Sequence, residues 1–315
     1  MAVKMPKKVT LSVGETAEVK AVVRPTTATH QRATWQSSDT SIVRLSGFGL
    51  ANRFVEGTIY GVSPGEAEIT ATIKEFDVYG STKNMKTFTD TCIVRVVEPL
   101  PEKILIDAGH AFQGNTINHT YNGEGFTYAE GECMWVLQNM LVEELKNLGF
   151  INAECLRATN EYVTTQNQNE SWRDWQGREN ETRGKKATGY DLLIQLHSNS
   201  PANVNNTTPD YVVVFYPIDG RNGTQALGEA LADAIKTTME IDSNSIITTD
   251  STPGNPLVEA YAVMRGAQSV NCPRYFLTEN SFHTNPRAAH WLTQDDNLQE
   301  LAKAYAEVIK DHFTS

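Results

Sequence analysis

The spacing of apolar residues changes character once along the chain. Up to about residue 98, apolar and polar positions alternate in short runs: Val19-Lys20-Ala21-Val22, Glu68-Ile69-Thr70-Ala71-Thr72-Ile73 and Cys92-Ile93-Val94-Arg95-Val96. Alternation puts every second side chain on one face, so each run predicts a strand with one buried side. Val13-Gly14-Glu15, Arg24-Pro25 and Ser63-Pro64-Gly65 punctuate the runs as turns. Many short strands with such turns predict an all-β sandwich, with Trp35 as a core aromatic. Residues 45–60 and 74–91 read as longer loops.

From Lys103 onward the period alternates between strand and helix. Lys103-Ile104-Leu105-Ile106-Asp107, Asp191–Leu196, Tyr211–Tyr216 and Arg274–Thr278 are apolar runs of strand length. Between Trp135 and Leu148, residues Leu137, Leu141, Leu145 and Leu148 recur at helical spacing, and Gly149 stands where a helix ends. Ala226–Met239 and Asn297–Phe313 carry helical patterns too. Strands alternating with helices predict an α/β domain with a mostly parallel sheet flanked by helices. Pro99 and Pro101 make a short, stiff linker. The expected chain is therefore multidomain: a β-sandwich over 1–98, a linker over 99–102 and an α/β domain over 103–315.

Composition agrees with two domains, since the chain has 315 residues. Lys and Arg total 27 against 38 Asp and Glu, a formal net charge of −11. A nucleic-acid binder needs a basic face, so no nucleic-acid partner is expected. No run of about 18 apolar residues predicts a transmembrane segment. The basic start has no apolar stretch after it, so no signal peptide is expected in this chain. Cys92, Cys133, Cys155 and Cys272 are scattered without a C-x-x-C pair, which argues against a cysteine zinc site and for buried apolar thiols.

Residues able to carry chemistry fall at strand ends. Asp107-Ala108-Gly109-His110 follows the first strand of the second domain, His197-Ser198-Asn199 ends another, and Glu279 ends a third. In open α/β sheets, functional groups gather beyond the carboxyl ends of strands. Taken singly, a His in such a place is more often structural or solvated. Two imidazoles and a carboxylate with an open fourth position form a catalytic zinc set. Spacing alone leaves both readings standing.

Two resemblances sharpen this picture. Leu11-Ser12-Val13-Gly14-Glu15-Thr16, Thr34-Trp35-Gln36-Ser37-Ser38-Asp39, Gly61-Val62-Ser63-Pro64-Gly65-Glu66-Ala67 and a last strand near Ile93–Val96 resemble the bacterial immunoglobulin-like group 2 domain. That resemblance implies a cell-surface spacer, or a module that binds a surface glycan or protein. The second domain resembles the zinc-dependent N-acetylmuramoyl-L-alanine amidases of the type 3 family. Asp107–His110, Asp191-Leu192-Leu193-Ile194-Gln195-Leu196-His197-Ser198-Asn199 and Leu277-Thr278-Glu279-Asn280-Ser281-Phe282-His283-Thr284-Asn285 match its three elements in order.

The amidase resemblance implies Zn2+ as cofactor, with His110 and His197 as ligands. It places a third ligand, a Glu, just before the first helix, where Glu124, Glu130 and Glu132 compete. The family carries apolar residues seven, eleven and fifteen positions after that Glu and a Gly at nineteen; Glu130 gives Leu137, Leu141, Leu145 and Gly149. Glu130 is therefore the chosen ligand. Glu279 would be the catalytic carboxylate, and Asn199, Arg265 and His283 the candidate substrate contacts. The substrate would be peptidoglycan, cut between N-acetylmuramic acid and L-alanine of the stem peptide, by a phage lysin or a secreted autolysin working outside the cell membrane or in the wall.

Several features depart from the pattern. Residues 111–121 form an unusual loop that offers His119 as a rival ligand. Either Arg178 or Arg183 fills a family Arg position. Trp172 and Trp175 either line a glycan groove or pack under a long loop. His290 and His312 read as structural or exposed. Two other functions remain open: a wall-binding module that does not cleave, and a different zinc amide hydrolase.

Overall fold

The structure is a computed structural model, and it describes residues 2–24, 33–51, 54–75, 86–111, 120–123 and 125–315. The chain divides into two compact units, Met1–Leu100 and Pro101–Ser315.

The first unit holds strands β1 (Ala2–Lys4), β2 (Lys8–Ser12), β3 (Thr16–Arg24), β4 (Ala33–Ser37), β5 (Val43–Ala51), β6 (Phe54–Gly61), β7 (Gly65–Glu75) and β8 (Lys86–Val97). They form two four-stranded sheets, ordered β1-β3-β6-β5 and β2-β8-β7-β4. The pairs are antiparallel except β2 with β8, which is parallel. The alternation seen in sequence is the alternation of burial. Val19, Ala21 and Val23 of β3, Ala67, Ile69, Ala71 and Ile73 of β7, and Cys92, Val94 and Val96 of β8 all join one apolar core. Trp35 packs against that core from β4, an edge strand, and is half-buried. The loop expectation for 45–60 is corrected: most of it is the β5–β6 pair, whose Ile59 is fully buried. Likewise the expected loop 74–91 is shorter, because β8 begins at Lys86 and pairs with β7 from there. Backbone pairing with a neighbouring strand sustained β5, β6 and the start of β8 despite their weakly alternating sequence.

The second unit begins with β9 (Lys103–Ala108), a hairpin of β10 (Thr120–Gly123) and β11 (Phe126–Ala129), helix α1 (Glu130–Asn147) and β12 (Asn152–Cys155). Helix α2 (Trp172–Lys185), β13 (Leu192–Asn199), β14 (Val213–Phe215), α3 (Thr224–Thr238) and β15 (Ile246–Thr248) follow. The small β16 (Ser251–Thr252) and β17 (Asn255–Glu259) pair, then come α4 (Ala262–Ser269), β18 (Tyr275–Phe282), α5 (Pro286–Trp291) and α6 (Asp295–Thr314). Six strands form one sheet in the order β12-β9-β13-β18-β14-β15. Four of its five pairings are parallel and β14 with β18 is antiparallel.

Burial on both faces explains the continuous apolar runs of these strands. On one face Leu105, Leu193 and Leu277 form a core with Val263, Met264 and Ala267 of α4. α1 packs against β9 and against α6, which also packs on α3. Leu137, Leu141 and Leu145 of α1 are fully buried. Gly149 adopts φ +108° just past α1, the left-handed turn that favours glycine. The helix starts earlier than its leucine spacing alone suggested, at Glu130. The four cysteines are free, and Cys92, Cys133 and Cys272 are buried. Burial pushes the Cys133 thiol up to about 12, so it stays an unreactive packing group.

Candidate metal centre and active-site cleft

The three central strands of the sheet are β9, β13 and β18, and their register builds the site. Gln195 pairs with Asp107 across β13 and β9, and His197 pairs with Glu279 across β13 and β18. In a parallel ladder, paired residues present their side chains on the same face, as do residues two apart along a strand. Asp107, Gln195, His197 and Glu279 therefore share one face. His110 arrives from the turn after β9, and Glu130 from the first position of α1.

His110, Glu130 and His197 each offer one ligand atom, all within 4.8 Å of one another. His197 Nδ1 lies 3.0 Å from Glu130 Oε1, and His110 Nε2 lies 3.5 Å from Glu130 Oε2. The two imidazole rings stand edge to face at 5.0 Å. Ser198 N–H donates to Glu130 Oε1 at 2.9 Å. Glu130 is 1% exposed, although it carries a charge at the start of a helix. A buried carboxylate between two imidazoles fits a divalent cation, because the donor set is two nitrogens and one oxygen with room on the cleft side. Two glycines make this approach geometrically feasible. A Cβ on Gly109 would collide with the His197 ring, and one on Gly131 would lie 2.9 Å from the carbonyl oxygen of His110.

Beneath the centre lies a buried charge network. Asp107 Oδ1 accepts from Arg183 at 2.5 Å, and Arg157 Nε lies 3.6 Å from the same oxygen. Asp107 and Arg183 are 0% and 1% exposed. Arg157 donates to the carbonyls of Ala108 and His110, and Arg183 to those of Ala108 and Gly109. The turn that carries His110 is thus clamped by two guanidiniums. Desolvation and the charge of Arg183 lower Arg157 to about 10, which still leaves it cationic at neutral pH. Of the two candidate arginines, Arg183 is the one at the site. Arg178 pairs with Glu170 on the surface.

The cleft over the centre has a volume of ≈ 220 Å³ and is lined by His110, Glu130 and His197 together with Asn180, Asn199, Ser200, Tyr261, Val263, Leu277, Glu279 and His283. Glu279 belongs to β18, which runs past it to Phe282, because Val213 of β14 pairs opposite Glu279 and Asn199 of β13 opposite Phe282. Burial, and next to it the negative charge of Glu130, hold the Glu279 carboxyl well above the usual carboxylate range. Its Oε2 has no hydrogen-bond partner among the described groups.

Of the expected substrate contacts, Asn199 and His283 line the cleft and Arg265 does not. Arg265 donates to the carbonyls of Glu259 and Ala260 at the start of α4. His283 is 1% exposed: its Nδ1 lies 3.0 Å from Ser198 Oγ, and its ring stacks on Tyr128 at 5.8 Å. The Tyr128 hydroxyl and Ser198 Oγ share a 2.6 Å hydrogen bond. Trp175 is buried and donates to Thr164, while Trp172 and Tyr162 pack around it. Neither Trp lines the cleft. His290 is exposed and His312 is hydrogen-bonded by Arg274. His119 and Glu124 lie outside the described residues. Sequence reasoning quoted Asp107 and Gln195 inside their motifs but gave them no role, and it passed over Arg157. Gln195 carried a signal, as the one polar residue inside Leu192–Leu196 and on the same strand face as His197.

Fold and site together define a class: an α/β domain with a three-donor centre and a further, half-buried carboxylate at the heart of its sheet. The chain belongs to the N-acetylmuramoyl-L-alanine amidase family, whose model matches residues 104–311, and its first unit matches the bacterial Ig-like domain (group 2) over residues 3–81. Among solved structures, the chain is similar to the CwlD amidase of Clostridioides difficile in complex with the GerS lipoprotein. The identity is 16%, covering 68% of this chain and 98% of that one, with a TM-score of 0.51. It is also similar to the N-acetylmuramoyl-L-alanine amidase of Clostridium difficile 630, at 15% identity over 68% of this chain and 97% of that one, with a TM-score of 0.51. No curated protein sequence matches the chain. Among the described residues, no helix is long and apolar enough to cross a membrane.

Proposed function

We propose that the protein is a zinc-dependent peptidoglycan amidase that cleaves the bond between N-acetylmuramic acid and L-alanine of the stem peptide. The observation that carries this reading is the convergence of His110, Glu130 and His197 in one cleft with Glu279. His110, Glu130 and His197 would hold the ion. Zinc bound there supplies a Lewis acid that makes water nucleophilic near neutral pH and polarises the scissile carbonyl.

The chain's own residues do the rest. Glu279 takes the proton of the attacking water and hands it to the nitrogen of the leaving L-alanine, which is otherwise a poor leaving group. Burial raises this carboxyl above the usual carboxylate range, which favours its keeping the proton between the two halves of that task. Asn199 offers its amide side chain to the stem peptide, beside Asn180, Ser200 and Tyr261, over an apolar floor of Val263 and Leu277. His283, held through Ser198 and Tyr128, braces the β13 end of the cleft. Arg265 lies outside the cleft lining and donates from Nη1 to backbone carbonyls before α4, which supports a role in holding that turn. The substrate places the enzyme at the bacterial wall, as a phage lysin or a secreted autolysin, with the immunoglobulin-like unit as spacer or surface-binding module.

Incubating the zinc-supplemented protein with purified peptidoglycan tests this. Mass spectrometry should find free stem peptides beginning at L-alanine. Glu279→Ala should lower their release about 10²- to 10⁴-fold, the usual worth of general acid–base catalysis. No cleavage by the wild type across several wall types would favour the wall-binding module instead.

A further inference from the structure

We propose that Gln195 is a positioning residue that fixes which nitrogen of His197 carries the proton, and so aims the other nitrogen's lone pair at the metal centre. The inference rests on the zinc reading above and extends it to a residue outside the ligand set.

The relay starts at Asp107. Its Oδ1 accepts from Arg183 at 2.5 Å, with Arg157 Nε 3.6 Å away. A carboxylate between two guanidiniums has only acceptor capacity to offer. Asp107 Oδ2 lies 2.7 Å from Gln195 Nε2, so that end of the amide is the NH2 group and donates. The amide's other end, Oε1, then faces His197 Nε2 at 3.0 Å. A carbonyl oxygen only accepts, so Nε2 carries the hydrogen. A neutral imidazole has one N–H, and Nδ1 keeps its lone pair. Nδ1 is the nitrogen that lies 3.0 Å from Glu130 Oε1, which already accepts from Ser198 N–H. With the lone pair on Nδ1 these two electron-rich atoms repel at this distance unless a metal ion, or in its absence a second proton on the ring, lies between them.

The parallel register makes the relay possible, since Gln195 pairs with Asp107 and stands two residues before His197 on one face. Gln195 is 2% exposed, so water does not compete for its amide. Metal-bound imidazoles commonly donate their second N–H to an acceptor that fixes ring and tautomer. Here that acceptor is an amide, itself oriented by a buried carboxylate. The register thus links the two guanidiniums under the His110 turn to the proton on His197.

The test uses the full chain as Gln195→Met, which keeps volume but removes donor and acceptor, and as the double variant Asp107→Asn with Gln195→Glu. In the double variant the groups exchange roles. The amide introduced on β9 would donate to the carboxylate introduced on β13, and that carboxylate would accept from His197 Nε2–H. Two readouts apply besides activity: zinc affinity by competition with a chromophoric chelator, and side-chain 15N spectra that report which His197 nitrogen is protonated. Wild type should keep the proton on Nε2 with and without zinc, and should carry none on Nδ1 once zinc is bound. Gln195→Met should bind zinc about 10- to 100-fold more weakly, as loss of such partners usually causes, and should lose the exclusive Nε2–H state. The double variant should recover most of the affinity, which a merely structural Gln195 would not allow. Thermal unfolding confirms that each variant is folded. Wild-type affinity in Gln195→Met, or a proton on Nδ1 of His197 in the zinc-loaded wild type, would overturn the proposal. A wild type that neither binds zinc nor cleaves peptidoglycan would defeat the zinc reading, while the metal-free spectra would still decide what Gln195 does.

Discussion

The two units bury different things. In the first, the described core is Val, Ile, Leu, Ala, Met and Cys, and among the described residues the buried polar side chains are Ser12 and Ser37. In the second, Asp107, Glu130, Arg157, Glu179, Arg183, Gln195, Glu259, Asn280 and His283 are all buried. Burying an ionised group is costly unless it is paired and hydrogen-bonded. The described core of the sandwich holds together by apolar burial without such groups. The α/β unit keeps them, and most of them cluster under and around one cleft. The contrast teaches where to look for chemistry: at polar groups that a fold holds in its interior.

The sharpest way to break this contrast is to remove one partner of the buried network. Arg183→Met strips Asp107 of its closest cation, and breaking a buried pair this way costs about 3–5 kcal/mol. Thermal unfolding should show the second unit melting well below wild type, and zinc affinity should fall with it. An unchanged melting temperature would mean the network is idle. The matching change in the first unit is Ile69→Ala, at a fully buried position of β7. It should cost about 2–5 kcal/mol through the cavity left behind. Cleavage of a soluble muropeptide per folded molecule should stay at the wild-type level. Loss of that cleavage would show that the apolar unit takes part in the reaction.

The smallest effect concerns pH. Burial raises the Glu259 carboxyl above its ordinary 4.5, against the hydrogen bonds from Ile218 N–H and Tyr275 O–H that lower it. The folded protein therefore holds this proton more tightly than the unfolded chain does. The resulting stabilisation is whole below pH 4.5 and is lost as pH rises through the folded value. Glu259→Gln should remove that slope from a plot of melting temperature against pH. A slope unchanged by the substitution would assign it to another group.

Much of this was legible in the chain. Alternation located the strands of the first unit, and its failures at 45–60 and 74–91 came where pairing with β6 and β7 outweighed a weak local pattern. Apolar runs and leucine spacing located β9, β13, β18 and α1. The family resemblance, read against the leucine ladder after Glu130, chose it over Glu132, and the structure brings Glu130 to both histidines. Arg178 and Arg183 were indistinguishable because each is a polar residue on the same helical stretch. Only packing shows that one reaches the surface Glu170 and the other the buried Asp107.

What the sequence determined by itself is therefore local: element type, which strands are buried on both faces, and which residues stand at their ends. Those properties follow from periodicity and side-chain chemistry, which act over a few residues. What only the tertiary structure decided is the company each residue keeps. Asp107 meets Arg183 and Gln195 across more than seventy positions, and His197 meets Glu279 across more than eighty, because the parallel ladders of β9, β13 and β18 set one register among many that the same strands allow. That register is chosen by how the whole sheet packs against its helices, a property no single segment carries.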